Sequence, residues 1–116
     1  MSDESTTAAI QHYLEDLGRE NAGEIAIRPL MERSVERLHR HCATLLHRSY
    51  PRLTRPPLNL ETEEMLSAVV ERLLKALRSA RPANVRQFFA LANKHIRWEL
   101  NDIARRLDSR APAYEL

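Results

Sequence analysis

From Val85 to Leu107 the apolar residues return every three or four positions: Val85, Phe89, Ala92, Ile96, Leu100, Ile103 and Leu107, with Phe88 at the edge of the stripe. At about 100° per residue these side chains share one face of an α-helix, whereas strand periodicity would scatter them over two faces. A helix of this length with one apolar face needs partners to cover it. The rest of the chain supplies more helix: two glycines and six prolines in 116 residues, with abundant Leu, Arg, Ala and Glu, disfavour sheet. The size suits one domain around a single core, so the expected fold class is all-α with four helices.

The first helix is expected from about Thr7 to Leu17, with Ile10, Tyr13, Leu14 and Leu17 on one side and Gly18 placed to end it. The second is expected from about Arg28 to Ser49. Its stripe is Ile27, Met31, Val35, Leu38, Cys42 and Leu45, Pro29 fits near its start, and Tyr50-Pro51 ends it. Residues 51–61 form a loop held by Pro51, Pro56 and Pro57. The third helix opens with Thr62 as N-cap and Glu63 and Glu64 in its first turn, where carboxylates meet the positive end of the dipole. It buries Leu66, Val70, Leu73 and Leu77, with Val69 and Leu74 beside them, and ends near Arg78. A tight connection, Ser79–Ala83 with Pro82, leads to Asn84 and Gln87, which have the spacing of a capping box. Residues 109–116 read as the start of a linker.

The net charge is only +2, but it is unevenly spread. Residues 1–24 carry six acids and one base, residues 28–55 seven arginines against Glu32 and Glu36, and residues 72–110 ten Lys/Arg against three acids. Such a division points to a polyanionic partner for the later segments, or to a solvated basic surface. The single Cys42 permits no internal disulfide and suits a reducing compartment. The acidic, polar N-terminus lacks the parts of a signal peptide, and no apolar run is long enough to span a bilayer. The expected location is the cytoplasm, with no membrane partner.

The face of the last helix opposite its apolar stripe holds Gln87, Leu91, Lys94, Trp98, Asn101 and Arg105. Lys94, Trp98, Asn101 and Arg105 share an arc of about 60°. The only tryptophan thus sits in a polar, basic row. Either another helix, such as the first, covers it, or the ring is exposed beside cations, as single-stranded nucleic acid requires: charges for phosphates and a flat ring for bases. The connection Ser79–Asn84 is expected next to this row.

Catalysis and metal binding have weaker claims. His39 and His41 point about 160° apart on a helix, and Cys42 falls in the apolar stripe, so His39, His41, Cys42 and His47 do not converge on a metal. Glu99 and Asp102 are expected to pair locally with His95 or Arg106. There is no Gly-rich phosphate loop and no Ser/His/Asp set, so neither an enzyme nor a cofactor is expected.

Three segments in order, LHRHCATLLHRSYPRL, EEMLSAVVERLLKALRSARP and NVRQFFALANKHIRWELNDIARRLD, resemble region 2 of the extracytoplasmic-function (ECF) group of RNA polymerase sigma factors. The resemblance covers roughly residues 7–108 of a single domain. It implies a four-helix sigma region 2-like domain that docks on the clamp coiled coil of core RNA polymerase. It also implies capture of the non-template strand of the minus-ten promoter element as the duplex opens. Glu64-Met65-Leu66-Ser67-Ala68 occupies the docking motif, which in the family usually reads Asp, two apolar residues, Gln, then an acid. Glu64 keeps the acid, while Ser67 and Ala68 depart from the pattern. Arg72 matches a commonly basic position, and with Glu71 it completes the implied polymerase-binding set. The connection ending at Asn84 corresponds to the loop that receives a flipped base, and Lys94, Trp98, Asn101 and Arg105 to the DNA-reading face. The family continues into a linker and a helix-turn-helix domain and is regulated by anti-sigma factors, so the implied partners are core polymerase, promoter DNA and an anti-sigma factor. The second reading is a sigma-like helical interaction module that titrates a regulatory partner without binding DNA.

Overall fold

Four α-helices and one 3-10 turn follow one another along the chain: α1 (Asp3–Leu17), α2 (Gly23–Ser49), the 3-10 turn (Pro51–Thr54), α3 (Thr62–Ala76) and α4 (Val85–Glu115). The structure, a computed structural model, describes the backbone of residues 3–18 and 23–115 and the side chains of 6–18 and 25–109. No strand occurs among the described residues, and the fold is all-α. No helix among them is long and apolar enough to cross a membrane.

The second helix is the hub. It packs against α1, α3, α4 and the 3-10 turn, while α3 and α4 also pack on each other and α1 touches α4. One continuous core results, with Ile10, Leu14 and Leu17 from α1, Leu30, Leu38, Cys42 and Leu46 from α2, Met65, Val69 and Leu73 from α3, and Phe88, Ile96 and Leu100 from α4. Burial pushes the Cys42 thiol up to about 12, so it behaves as a small apolar side chain. Leu53 of the 3-10 turn is also fully buried and plugs the end of the core.

Helix α1 ends where Gly18 was expected to end it. No described glycine has a positive φ, so Gly18 does its work without the left-handed conformation. Helix α2 begins at Gly23, earlier than the sequence pattern suggests, and Pro29 lies inside it. A proline there removes one backbone hydrogen bond, and burial of Ala26 and Ile27 on the preceding turn offsets that loss. The buried band of α2 also departs from the expected stripe. Val35 is 39% exposed, whereas Ser34 is fully buried, its hydroxyl donating to the Leu30 carbonyl at 2.7 Å. That internal bond lets a serine occupy a core position.

In α3 the fully buried apolar residues are Met65, Val69 and Leu73, continued by Leu77 at the C-cap, and Leu66, Val70 and Leu74 pack half-buried at the margin. The helix is therefore turned by about 50° from the expected orientation, towards Met65. Its N-cap is Glu61, in extended conformation and without a side-chain cap bond. Thr62 lies within the first turn and is buried rather than capping.

The start of α4 follows the capping pattern. Asn84 Oδ1 accepts from the Gln87 N–H at 2.8 Å, and Gln87 Oε1 reaches back to the Ala83 N–H at 2.8 Å, one residue before the cap. Phe88, expected at the edge of the stripe, is fully buried; Phe89 is nearly so. The backbone of α4 continues through Glu115, so the segment expected to begin a linker is helical up to that residue.

Candidate nucleic-acid interface

Lys94, Trp98, Asn101 and Arg105 are all exposed on α4, on the side away from the core. No helix among the described residues covers Trp98, whose relative exposure is 45%. The ring is nevertheless held. Lys94 Nζ lies 4.8 Å from its centroid, and the His95 ring meets it edge-on at 5.1 Å and 84°. A cation over an indole face gains from the ring quadrupole and places positive charge beside a flat apolar surface. His95 Nδ1 is buried without a hydrogen-bond partner. Burial first, then the charges of Arg72 and Lys94, push this imidazole below its ordinary value, so at neutral pH it is an uncharged support for Trp98.

The two remaining members of the row are engaged within the fold. The Tyr50 hydroxyl donates to Asn101 Oδ1, so Asn101 can offer a ligand its amide N–H groups. Arg105 pairs with Asp102 one turn back. Nearby, Arg52 forms a two-pronged ion pair with Asp108 at 2.7 and 3.0 Å, which together with Tyr50 ties the 51–61 segment to α4.

Asn84 belongs to a different end of the surface. Fourteen residues before Trp98, it lies about 21 Å away along the helix at 1.5 Å per residue. The connection Ser79–Asn84 is thus not beside the Trp98 row, as the sequence suggested. It is anchored on α1 instead: Arg81 Nη1 donates to the Leu17 carbonyl, and Gln11 bonds both the Ala83 carbonyl and the Val85 N–H at 3.2 Å. Asn84 already spends its side-chain oxygen on the helix cap.

On α3, Glu64, Ser67 and Glu71 are exposed and Ala68 is half-buried on the same outer side. Glu64 rims a hollow of about 330 Å³ shared with Leu58, Leu60, Ile103 and Arg106. Ser67 folds its hydroxyl back onto the Glu63 carbonyl at 3.1 Å. Arg72 does not belong to this outer side. The turn of α3 towards Met65 carries Arg72 to α4, where Nε donates to Glu99 at 2.9 Å and Nη2 to Asp102 at 2.5 Å. Glu99 and Asp102 are thus partners of α3 across the interface; Arg106, at 3.9 Å, is a distant second partner of Glu99. The local pairing expected for them missed this tertiary link.

No group of three or more His, Cys, Asp or Glu side chains is arranged to hold a metal among the described residues. His39 instead contacts Glu63 of α3 at 3.3 Å, and His41 bonds Asn93 of α4 at 3.0 Å. Comparison of the chain with protein-family models, with curated proteins and with solved structures returned no match.

Proposed function

We propose that this chain is a transcription initiation domain similar to region 2 of ECF sigma factors, which binds core RNA polymerase and the non-template strand of a minus-ten promoter element. The observation that carries the reading is Trp98: a half-exposed indole, steadied by Lys94 and His95, in a row with Asn101 and Arg105 on the outer side of α4. The exposed half of the indole forgoes part of its burial energy, and a base stacked on the ring recovers it, a contact worth roughly 1–3 kcal/mol. In this reading Trp98 stacks on a base at the point of strand separation and Lys94 and Arg105 hold phosphates. Asn101 offers its amide to a base edge, and Asn84 acts as the cap that sets where α4 begins. The outer side of α3, with Glu64, Ser67, Ala68 and Glu71, is the polymerase dock. Arg72 contributes by fixing α3 against α4.

The test uses this chain with core polymerase and a forked promoter probe. Trp98→Ala is expected to weaken binding of the single-stranded arm by about tenfold or somewhat more, the equivalent of one stacked base. Glu64→Lys is expected to weaken capture of core polymerase with helix content unchanged. Loss of polymerase capture alone, with Trp98→Ala silent, would favour the interaction module that does not bind DNA. The departures at Ser67 and Ala68 are the features that favour this second reading. If neither substitution has an effect, the initiation-factor reading fails.

A further inference from the structure

The two long helices leave a cationic groove between them that the Trp98 row does not include. On the α2 side stand Arg37, Arg40 and His41; on the α4 side stand Asn93 and Arg97, around an open hollow of about 470 Å³. A second hollow of about 490 Å³ shares Arg37 and Asn93 and adds Arg86. No carboxylate lines either hollow among the described residues. The acids of α4 among the residues with described side chains lie elsewhere and are used: Glu99 and Asp102 by Arg72 and Arg105, Asp108 by Arg52. Glu99 and Asp102 thus face α3 and Asp108 meets the turn after α2, while Arg86 and Arg97 of α4 stand in hollows whose described lining holds no carboxylate.

The groove is also partly organised. The Arg37 guanidinium lies 4.1 Å from the centre of the Phe89 ring and donates to Thr7 Oγ1 at 3.3 Å, which restricts a side chain that would otherwise sample many rotamers. The His41 ring stacks on Phe89 at 5.5 Å and is fixed by Asn93. Planar arginine heads presented along a trough suit phosphate oxygens, which they can bind in pairs. From Arg86 to Arg97 the α4 wall runs about 16 Å, long enough for roughly three to five consecutive phosphates. Arg97 precedes Trp98 in the chain, about 100° round the helix from it, so a strand leaving the trough at Arg97 has one step round α4 to reach the indole.

We infer that this groove is a binding site for a nucleic-acid phosphodiester backbone, held by Arg37, Arg40, Arg86 and Arg97 and continuing the strand that stacks on Trp98. The inference rests on the proposed DNA reading only for that continuity. The groove itself needs phosphates, not bases.

The experiment measures anisotropy of two labelled strands, a short oligothymidylate and an abasic strand of the same length, against salt concentration. Arg40→Gln with Arg97→Gln is expected to weaken both strands and to lower the salt slope by about 1.4, the loss of two single-strand phosphate contacts. Trp98→Ala is expected to weaken the thymidylate alone. A charge-matched control, Arg48→Gln with Lys75→Gln, lies outside the groove and is expected to leave the slope nearly unchanged. The groove is refuted if the Arg40/Arg97 variant keeps the parent slope, or if the control loses as much. It is also refuted if the parent does not bind the abasic strand, or if polyglutamate of equal charge competes as well as DNA. Binding of the abasic strand that depends on Arg40 and Arg97, with Trp98→Ala silent on thymidylate, upholds the groove and overturns the Trp98 reading instead.

Discussion

Phe88→Ala is expected to lower the stability of the domain by about 3–5 kcal/mol, a large part of the roughly 5–15 kcal/mol that holds a domain of this kind together. Phe88 is fully buried and is among the largest fully buried side chains of the core. Its ring meets Phe89 edge-on, at 5.0 Å and 75°. Truncation removes the apolar area of the ring and leaves a cavity that two long helices cannot easily close, because each is held at several other points along its length. Phe89→Ala is expected to cost less. That ring is 6% exposed and lies towards the surface, beneath Arg37 and beside His41, where water and the arginine stem can fill part of the space. Val35→Ala, at a position 39% exposed, is the reference and should stay within about 0.5 kcal/mol of the parent. Urea melts followed by circular dichroism order the three variants. A Phe88→Ala midpoint no lower than that of Val35→Ala would mean that α4 is rotated away from the orientation described.

The contrast between the two phenylalanines shows what a single sequence can and cannot reveal. The buried face of α4 is legible because Ala92, Ile96, Leu100 and Ile103 leave one choice of side, and the same wheel places Trp98 opposite. Neighbours one residue apart differ by only about 100°, so periodicity does not decide whether Phe88 or Phe89 lies deeper. Helix α3 is more ambiguous. Met65, Leu66, Val69, Val70, Leu73 and Leu74 give two apolar stripes side by side, and a choice between them needs information from outside the helix. Part of that information is Arg72, which has two carboxylates to meet on α4 once the helix turns towards Met65. In α2, Ser34 rather than Val35 enters the core because its hydroxyl finds an acceptor in its own helix, a possibility that hydrophobic patterning counts as a defect.

The candidate site divides in the same way. The Trp98 row is a property of one helix and could be read from it. The arginine groove is made by two helices, 37–41 on one and 86–97 on the other, which are unremarkable polar positions until the fold brings them together. A signal was present in the excess of arginine over acid in both segments, but not the convergence of those arginines on one groove. The distance from Asn84 to Trp98 was calculable from helix rise alone and contradicts the expectation that the Ser79–Asn84 connection adjoins the indole.

Removing Arg72 is the second large effect expected. Arg72→Ala leaves Glu99, whose side chain is only 13% exposed, with Arg106 at 3.9 Å as its nearest cation. Leaving such a group without its hydrogen-bond donor costs about 1–3 kcal/mol. Glu99 and Asp102 lie three residues apart on one side of α4 and repel each other, and Arg72 is the group that compensates both across the helix interface. The double variant Arg72→Ala, Glu99→Ala should therefore lose less than the sum of its single variants, with a coupling of roughly 0.5–3 kcal/mol. Acid provides an independent check. Hydrogen bonds from Arg72 and then Arg105 hold the Asp102 carboxyl below its ordinary 3.8, so the folded chain resists taking up that proton. The resulting stability is fully present above 3.8 and disappears as pH falls through the lower, folded-state value. Arg72→Ala gives up the Arg72 share of this contribution, so the difference between parent and variant is expected to narrow as acid protonates Asp102. A gap that persists undiminished well below 3.8 would assign the effect to packing of the arginine stem. Strict additivity in the cycle would show that α3 and α4 are not joined through Glu99.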